Sequence, residues 1–399
     1  MSSDFLPYGR QQIDDDDIAA VAEALRSDYL TTGPRVTAFE EAFATRMGVK
    51  RAIACANGTA ALHAAMLALD IGPGDVAIVP SITFLATANA ARFCNGWVMF
   101  ADVDPATGLM TPESLTEAII RTHAIGMTPR VVIPVHYAGQ ICDMPALSRI
   151  ARDNGMFIVE DACHALGSID SEGFTVGACE DSDMACFSFH PVKTIATGEG
   201  GMITTNDPEL EKRLRRAVCH GMVREEADLT DPGLSCDAEG TRLPWAYEMQ
   251  ALGYNYRLSD IQAALGLSQL TKLDQFIARR RHLAGLYDEQ LNDLSHLTPM
   301  SHLVGQSPSL HLYVVQIDFE ALNKPRQQVM AELANKGVGT QVHYIPVHHQ
   351  PYYKRLDAEL ELPGSDTFYA RCLSLPLFPT MKDKDVTRVV NALRDVLVE

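Results

Sequence analysis

Short apolar runs punctuate the first half of the chain at intervals of about twenty to thirty residues. They fall at 52–56, 76–80, 98–103, 131–136, 157–161, 184–189 and 202–205. Between and after them lie stretches with helical spacing of apolar positions, at 60–70, 112–121, 144–154 and 208–218. Alternation of this kind predicts an α/β fold built on a mostly parallel seven-stranded sheet with helices on both faces. The runs are apolar almost throughout rather than at every second residue, as expected of strands buried on both sides. From 258 to 292 the pattern reads as one long helix, or two joined end to end, with Ser259 as its N-cap. A smaller α+β pattern follows, with strands at 310–317 and 339–344 and helices at 326–336 and 384–397. The domain boundary is placed inside the long helix near Lys272, giving a large domain with an N-terminal arm over 1–271 and a small domain over 272–399. The polar segment 225–250 lacks periodicity and reads as a long loop serving as a lid. The acidic run 14–17 suits a solvated helix start.

Charge and cysteine usage narrow the function. The 399 residues carry a formal net charge of -18, which argues against general affinity for nucleic acid or anionic membrane. It leaves room for a local cationic pocket. No apolar run nears the roughly 18 residues of a membrane span, and residues 1–8 lack a basic and apolar leader pattern, so no secretory signal is visible; the singly scattered cysteines make a reduced cytoplasmic setting the expectation. Nine cysteines stand singly along the chain. Without Cys-x-x-Cys or His/Cys spacing, neither a zinc nor an iron–sulfur site is expected. Cys163 reads as a small packed thiol rather than a nucleophile.

Candidate chemistry gathers at the C-terminal ends of four predicted strands, where open α/β sheets bind ligands. Lys193 follows the 184–189 strand in Ser188-Phe-His-Pro-Val-Lys193. Asp161 ends the 157–161 strand. Asn57-Gly58-Thr59 follows the 52–56 strand, and Phe84 opens a helix after 76–80. Together they offer an amine, a carboxylate, a helix start for an anion and a flat apolar face, the set that pyridoxal 5'-phosphate needs. An unprotonated Lys193 amine can condense with an aldehyde and then carry protons beside the substrate carbon. Asp161 would pair with the pyridine nitrogen, His164 would hydrogen-bond the ring's phenolic oxygen, and Ser188 would join Gly58 and Thr59 on the phosphate. Each has a plainer reading taken alone: a solvated lysine, a turn-capping aspartate, a partly buried histidine, a strand serine, a core phenylalanine. Only their company favours the cofactor.

The motifs resemble those of the DegT/DnrJ/StrS-type sugar aminotransferases over nearly the whole length. The stretches concerned are Leu30-Thr-Thr-Gly33, Asn57-Gly-Thr-Ala-Ala-Leu62, Thr83-Phe-Leu-Ala-Thr-Ala-Asn89, Glu160-Asp-Ala-Cys-His-Ala-Leu-Gly-Ser168, Ser188-Phe-His-Pro-Val-Lys-Thr194 and Gly253-Tyr-Asn-Tyr-Arg-Leu-Ser-Asp260. The resemblance implies the type I fold of pyridoxal-phosphate enzymes, with Lys193 as the carrier. Relatives with histidine at that position dehydrate sugars, so Lys193 implies transamination. It also implies a homodimer with shared active sites, in which Asn255 reaches the neighbour's cofactor phosphate. Substrate contacts are expected from Tyr8, Thr31, Arg257, His343 and Tyr344. Within the family, His311-Leu-Tyr313 and Gln341-Val-His-Tyr-Ile-Pro-Val347 resemble the branch that aminates C4 of a UDP-linked 4-keto-6-deoxy-N-acetyl-hexosamine, with glutamate as donor, in the pseudaminic acid pathway. The segment 225–250 is longer than is usual in that branch. Other UDP-, GDP- or dTDP-keto-sugar aminotransferases, a sugar dehydratase and a non-catalytic regulator are the competing readings.

Overall fold

In the computed structural model, residues 5–397 are described. Strands β1 (Arg51–Cys55), β2 (Asp75–Pro80), β3 (Trp97–Ala101), β4 (Thr128–Val132), β5 (Phe157–Asp161), β6 (Met184–Ser188) and β7 (Gly201–Thr205) form one sheet in the order β1-β7-β6-β5-β4-β2-β3. β7 runs antiparallel to both neighbours and the remaining pairs are parallel. The expected mostly parallel sheet is therefore present.

The apolar runs are continuous because alternate residues feed two separate cores. Ala52, Ala54, Val76 and Ile78 face one core, while Ile53, Cys55, Ala77 and Val79 face the other. After α1 (Asp15–Arg26), which packs on the helix Asp260–Thr271, helices α2 (Pro34–Met47), α3 (Gly58–Ala68), α4 (Leu85–Phe93), α5 (Pro112–Ala124), α6 (Met144–Asp153) and α7 (Pro208–Val218) cover the sheet. α2, α5 and α6 contribute to the first core and α3, α4 and α7 to the second. The acidic run does start a helix: Asp14 and Asp17 form a reciprocal capping box on α1.

Segment 225–250 is only partly a loop. It holds α8 (Pro232–Ser235), and β8 (Met222–Val223) pairs with β9 (Glu248–Met249) across it. Glu248 fastens the segment by accepting from the Thr230 and Asp231 N–H groups at 2.7–2.9 Å. The long helical pattern resolves into α9 (Asp260–Thr271) and α10 (Leu273–Leu291), meeting at Lys272. Ser259 caps α9 as expected, in a capping box with Gln262. Beyond it, β10 (Leu297–Pro299), β11 (Tyr313–Ile317) and β12 (Cys372–Leu375) form a three-stranded antiparallel sheet in that order. α11 (Arg326–Asn335), α12 (Pro351–Lys354), α13 (Pro363–Arg371) and α14 (Asp383–Leu397) follow; α11 and α14 pack into the core of this sheet, while Tyr353 of α12 joins the second core of the large sheet.

The strand expected at 131–136 lies earlier, at Thr128–Val132, and both strands expected beyond the long helix change. The 310–317 strand starts only at Tyr313, because Leu310 takes φ +55° and breaks the extended run. The strand expected at 339–344 does not form. Gly339 donates to Leu6 of the N-terminal arm at 2.8 Å, Gln341 alone bridges Ser374, and the Val342 N–H is taken by the Gln341 side chain at 2.8 Å. With its backbone groups divided among these partners the segment bends, and His343 and Tyr344 turn toward the end of the large sheet.

Candidate active site

At the C-terminal ends of β1, β2, β5 and β6 lies a cavity of about 450 Å3, within the range of roughly 300–1,000 Å3 usual for small-molecule sites. Gly58, Thr59, Phe84, Asp161, His164, Ser188, Lys193, Tyr8, His343 and Tyr344 all line it. Ten of the thirteen residues singled out in the sequence thus meet in one place.

The anion end is the start of α3. Asn57 caps it, its side chain accepting from the Ala60 N–H at 2.8 Å. The first N–H groups of a helix have no partner within it, so those of Gly58 and Thr59 are disposed toward an anion, with the helix dipole behind them. Gly58 is required by packing: a Cβ there would lie 2.8 Å from the Cβ of Ser188 and 3.3 Å from the Cys163 sulfur. Its absence lets Ser188 close up against the helix start. That is the geometry of a phosphate cradle, and it fits pyridoxal phosphate.

Asp161 closes β5 and is 5% exposed. Its Oδ2 accepts from Thr87 Oγ1 at 2.6 Å and its Oδ1 from the Cys163 N–H at 3.2 Å. Thr87 is paired in turn with Thr83 at 2.7 Å. Lys193 sits on the turn after β6, its N–H donating to the His190 carbonyl at 2.8 Å. Burial lowers its pKa below the usual lysine value, opposed by the nearby Cys163 and Asp161. Burial also lifts the Cys163 thiol well above its ordinary pKa, so it stays protonated and is no nucleophile at neutral pH.

His164 accepts from the Ala138 N–H at Nδ1 (3.3 Å), which places its proton on Nε2, 3.0 Å from the Tyr344 hydroxyl. Both nitrogens are thereby engaged, and a hydrogen bond from His164 to a cofactor ring must first displace Tyr344. Phe84 is the residue preceding α4, 56% exposed, with its ring centroid 6.1 Å from that of Tyr344.

Asn255, Thr31 and Arg257 do not line this cavity. The chain at 254–256 runs along the end of α7, with Tyr254 and Tyr256 donating to the Ala217 and Val218 carbonyls at 2.8 and 3.0 Å. Asn255 is exposed there. Arg257 turns to Cys219, at 3.4 Å, and borders a separate cavity of about 200 Å3 with Glu40 and Arg215. Thr31 is exposed and bridged to Ser259. The two motifs they belong to meet for a structural reason: the buried Asp260 carboxylate accepts from the Gly33 and Arg35 N–H groups at 2.7 and 3.0 Å, anchoring the start of α2.

Sequence reasoning missed His311, Glu199, His190 and Thr83 on the cavity wall. His311 is 4% exposed, its Nδ1 has no hydrogen-bond partner among the described residues, and its ring centroid lies 4.5 Å from that of His164. Burial, then the neighbouring charges, holds His164 and His311 well below the ordinary histidine pKa. Burial and Lys193 bring His343 down to about 3. These three rings are neutral when folded but titrate near 6.5 when unfolded. The unfolded chain therefore binds more protons as the pH falls through that value, and stability drops with it. The holoenzyme should lose thermal stability steadily between pH 7 and pH 5, and His343→Gln should flatten part of that slope. A Tm that is constant over this range contradicts the neutral cluster.

Fold and site together define a pyridoxal-phosphate enzyme of the type I fold. The comparisons are more specific. Residues 11–394 match the DegT/DnrJ/EryC1/StrS aminotransferase family. The spore coat polysaccharide biosynthesis protein SpsC of Bacillus subtilis is 38% identical, covering 98% of this chain and 97% of its own. Helicobacter pylori PseC, an aminotransferase involved in the biosynthesis of pseudoaminic acid, superposes with a TM-score of 0.87 at 27% identity, over 98% of this chain and 99% of its own. The sugar aminotransferase Spr1654 of Streptococcus pneumoniae, described as putative and solved in PLP and PMP forms, superposes with TM-scores of 0.85 and 0.86 at 26% identity, over 98% of this chain and 98–99% of its own. The chain belongs to the DegT/DnrJ/EryC1/StrS aminotransferase family, and it is a pyridoxal-phosphate-dependent sugar aminotransferase.

Proposed function

We propose that the enzyme transfers the amino group of glutamate to C4 of a UDP-linked 4-keto-6-deoxy-N-acetyl-hexosamine, a step of pseudaminic acid type. The observation that carries this reading is one half-buried amine of lowered pKa, Lys193, sharing a cavity with the buried carboxylate of Asp161. The likeness to PseC over 98% of the chain supports the sugar. The name of SpsC supports a product that enters polysaccharide synthesis.

When bound, pyridoxal phosphate supplies an aldehyde for amines and a ring that accepts the electrons left by a departing proton. The chain does the rest. Gly58, Thr59 and Ser188 would hold its phosphate, Phe84 would cover a ring face, and Asp161 would hold positive charge at the ring nitrogen. Lys193 Nζ takes the proton from the donor's α-carbon and later delivers one to the sugar carbon. Tyr8, His343 and Tyr344, which line the same cavity, would contact the sugar. Turnover with glutamate and a panel of UDP-, GDP- and dTDP-linked 3- and 4-keto sugars tests the assignment. The UDP-4-keto-6-deoxy sugar should show the highest kcat/KM. Turnover confined to another sugar nucleotide overturns the substrate and leaves the aminotransferase standing.

We further assign Asn255, with Thr31 and Arg257, to the site of a neighbouring subunit in a cytoplasmic homodimer. Among the described residues the cavity wall has Lys193 as its one lysine and no arginine, so the carboxylates of the donor and the phosphates need charge from outside it. Exposed apolar side chains within ten residues of Asn255 along the chain, Leu252 at 74% and Trp245 at 72%, support a covered surface. No helix among the described residues is long and apolar enough to cross a membrane. Asn255→Ala should weaken cofactor binding by about 1.5–3 kcal/mol, one charge-assisted hydrogen bond. Mixing Lys193→Ala with Asn255→Ala subunits puts both lesions in one site and leaves the other whole, so part of the activity should return. Verified subunit exchange without recovery rules out sharing.

A further inference from the structure

We propose that His348, His349 and Asp366 form a binding site for one divalent transition-metal ion of the zinc type, separate from the Lys193 cavity. His348 and His349 stand on the single 3-10 turn Val347–His349, and Asp366 on the first turn of α13. One donor atom from each lies within 4.8 Å of the others. His349 Nε2 is 2.6 Å from Asp366 Oδ1, and His348 Nε2 is 3.8 Å from the same oxygen.

The buried histidine carries the argument. His348 is 5% exposed, and its Nε2 has no hydrogen-bond partner among the described residues. An orphaned buried nitrogen is costly. Its other nitrogen, Nδ1, lies 2.6 Å from Ser81 Oγ. With the proton on Nδ1 and donated to Ser81, Nε2 presents a lone pair toward a carboxylate oxygen. Two acceptors facing each other across 3.8 Å are the surroundings of a cation, and a ligating histidine usually donates its second N–H to such a partner. With the proton on Nε2 instead, 3.8 Å is too long for a hydrogen bond, and the nitrogen remains unsatisfied.

Two imidazoles and a carboxylate suit zinc-type ions. Zinc binds such donors at roughly 2.0–2.2 Å, which sets tetrahedral ligands about 3.4 Å apart. His348 would close on Asp366 by a few tenths of an ångström and His349 would open by rather more. Both outer ligands are part-exposed, at 40% and 46% for the side chains of His349 and Asp366, so an ion can enter and a water can complete the shell. Asp102 and Asp357 add negative charge near His348.

The site would brace the cavity wall. Ser81 precedes Thr83 by two residues and His348 follows Tyr344 by four, and both Thr83 and Tyr344 line the cavity. The test is Zn2+ uptake by the chelator-treated, dialysed holoenzyme, followed by calorimetry and elemental analysis, with Co2+ absorption as a probe of tetrahedral coordination. One equivalent per chain and a raised Tm are expected. His349→Ala and Asp366→Asn, both at the exposed rim where folding tolerates change, should each weaken uptake at least roughly tenfold and lose the Co2+ band. Failure of the wild type to take up stoichiometric metal overturns the proposal, as does an equivalent that survives in both variants.

Discussion

Lys193→Ala should lose transamination by at least about 10^4-fold while keeping its fold. The expectation rests on two duties proposed for one amine: carrying the cofactor, and moving a proton between donor and acceptor carbons, itself worth up to about 10^4. Among the described residues lining the cavity there is no second lysine to substitute. Burial already lowers the pKa of this amine, so it is closer than a surface lysine to the unprotonated state that the chemistry needs. The local turn is held by backbone, through the Lys193 N–H to the His190 carbonyl, and truncation of the side chain leaves that bond in place. Circular dichroism and Tm should therefore match the wild type. Borohydride treatment should fix the mass of the cofactor covalently on the wild type and not on the variant. Full turnover, or a covalent tag on another lysine of the variant, removes Lys193 from the centre of the site.

The sheet was legible in the sequence because its strands feed two cores at once and are apolar almost throughout; β4, which opens on the exposed Thr128 and the half-buried Arg130, is the strand whose start the pattern misplaces. The helix start at one end of the cavity was legible because Asn57, Gly58 and Thr59 follow directly where the β1 run ends. The bend at 339–344 was not, since its apolar spacing suits a strand and only the competing partners Leu6, Ser374 and the Gln341 side chain divert it. Thr87 was hidden differently. It is a helical threonine whose role arises only when α4 packs beside β5 and brings it to Asp161. His311 and His348 were quoted or passed over as ordinary residues, because a buried nitrogen without a partner has no sequence signature. Spacing rules for metals search for neighbours along the chain, and Asp366 stands seventeen residues beyond His349. Asn255, Thr31 and Arg257 were placed in the site through family likeness. The single chain does not bring them to its own cavity.

The second large effect should come from Asp161→Asn. The carboxylate spends one oxygen on Thr87 and the other on the Cys163 N–H. An ionised carboxylate has about four acceptor positions, so capacity remains toward the cavity. Asparagine can keep the protein contacts: its carbonyl oxygen accepts from Cys163, and its amide donates to Thr87, which turns its own proton to Thr83, an exchange that the Thr83–Thr87 pair permits in either direction. Shape and fold should survive, and Tm should change little. What disappears is the negative charge that keeps a bound ring nitrogen protonated, and with it the electron sink for the proton abstraction by Lys193. By comparison with other removed electrostatic partners, the loss should be about 3 kcal/mol or more in transition-state stabilisation, roughly a hundredfold or greater in kcat. The measurement is kcat at saturating cofactor and both substrates, so that weakened binding does not pass for slowed chemistry. A near-normal kcat in a folded, cofactor-loaded Asp161→Asn enzyme means that Asp161 only caps the turn after β5, and that the positive ring is maintained by some other group on the cavity wall.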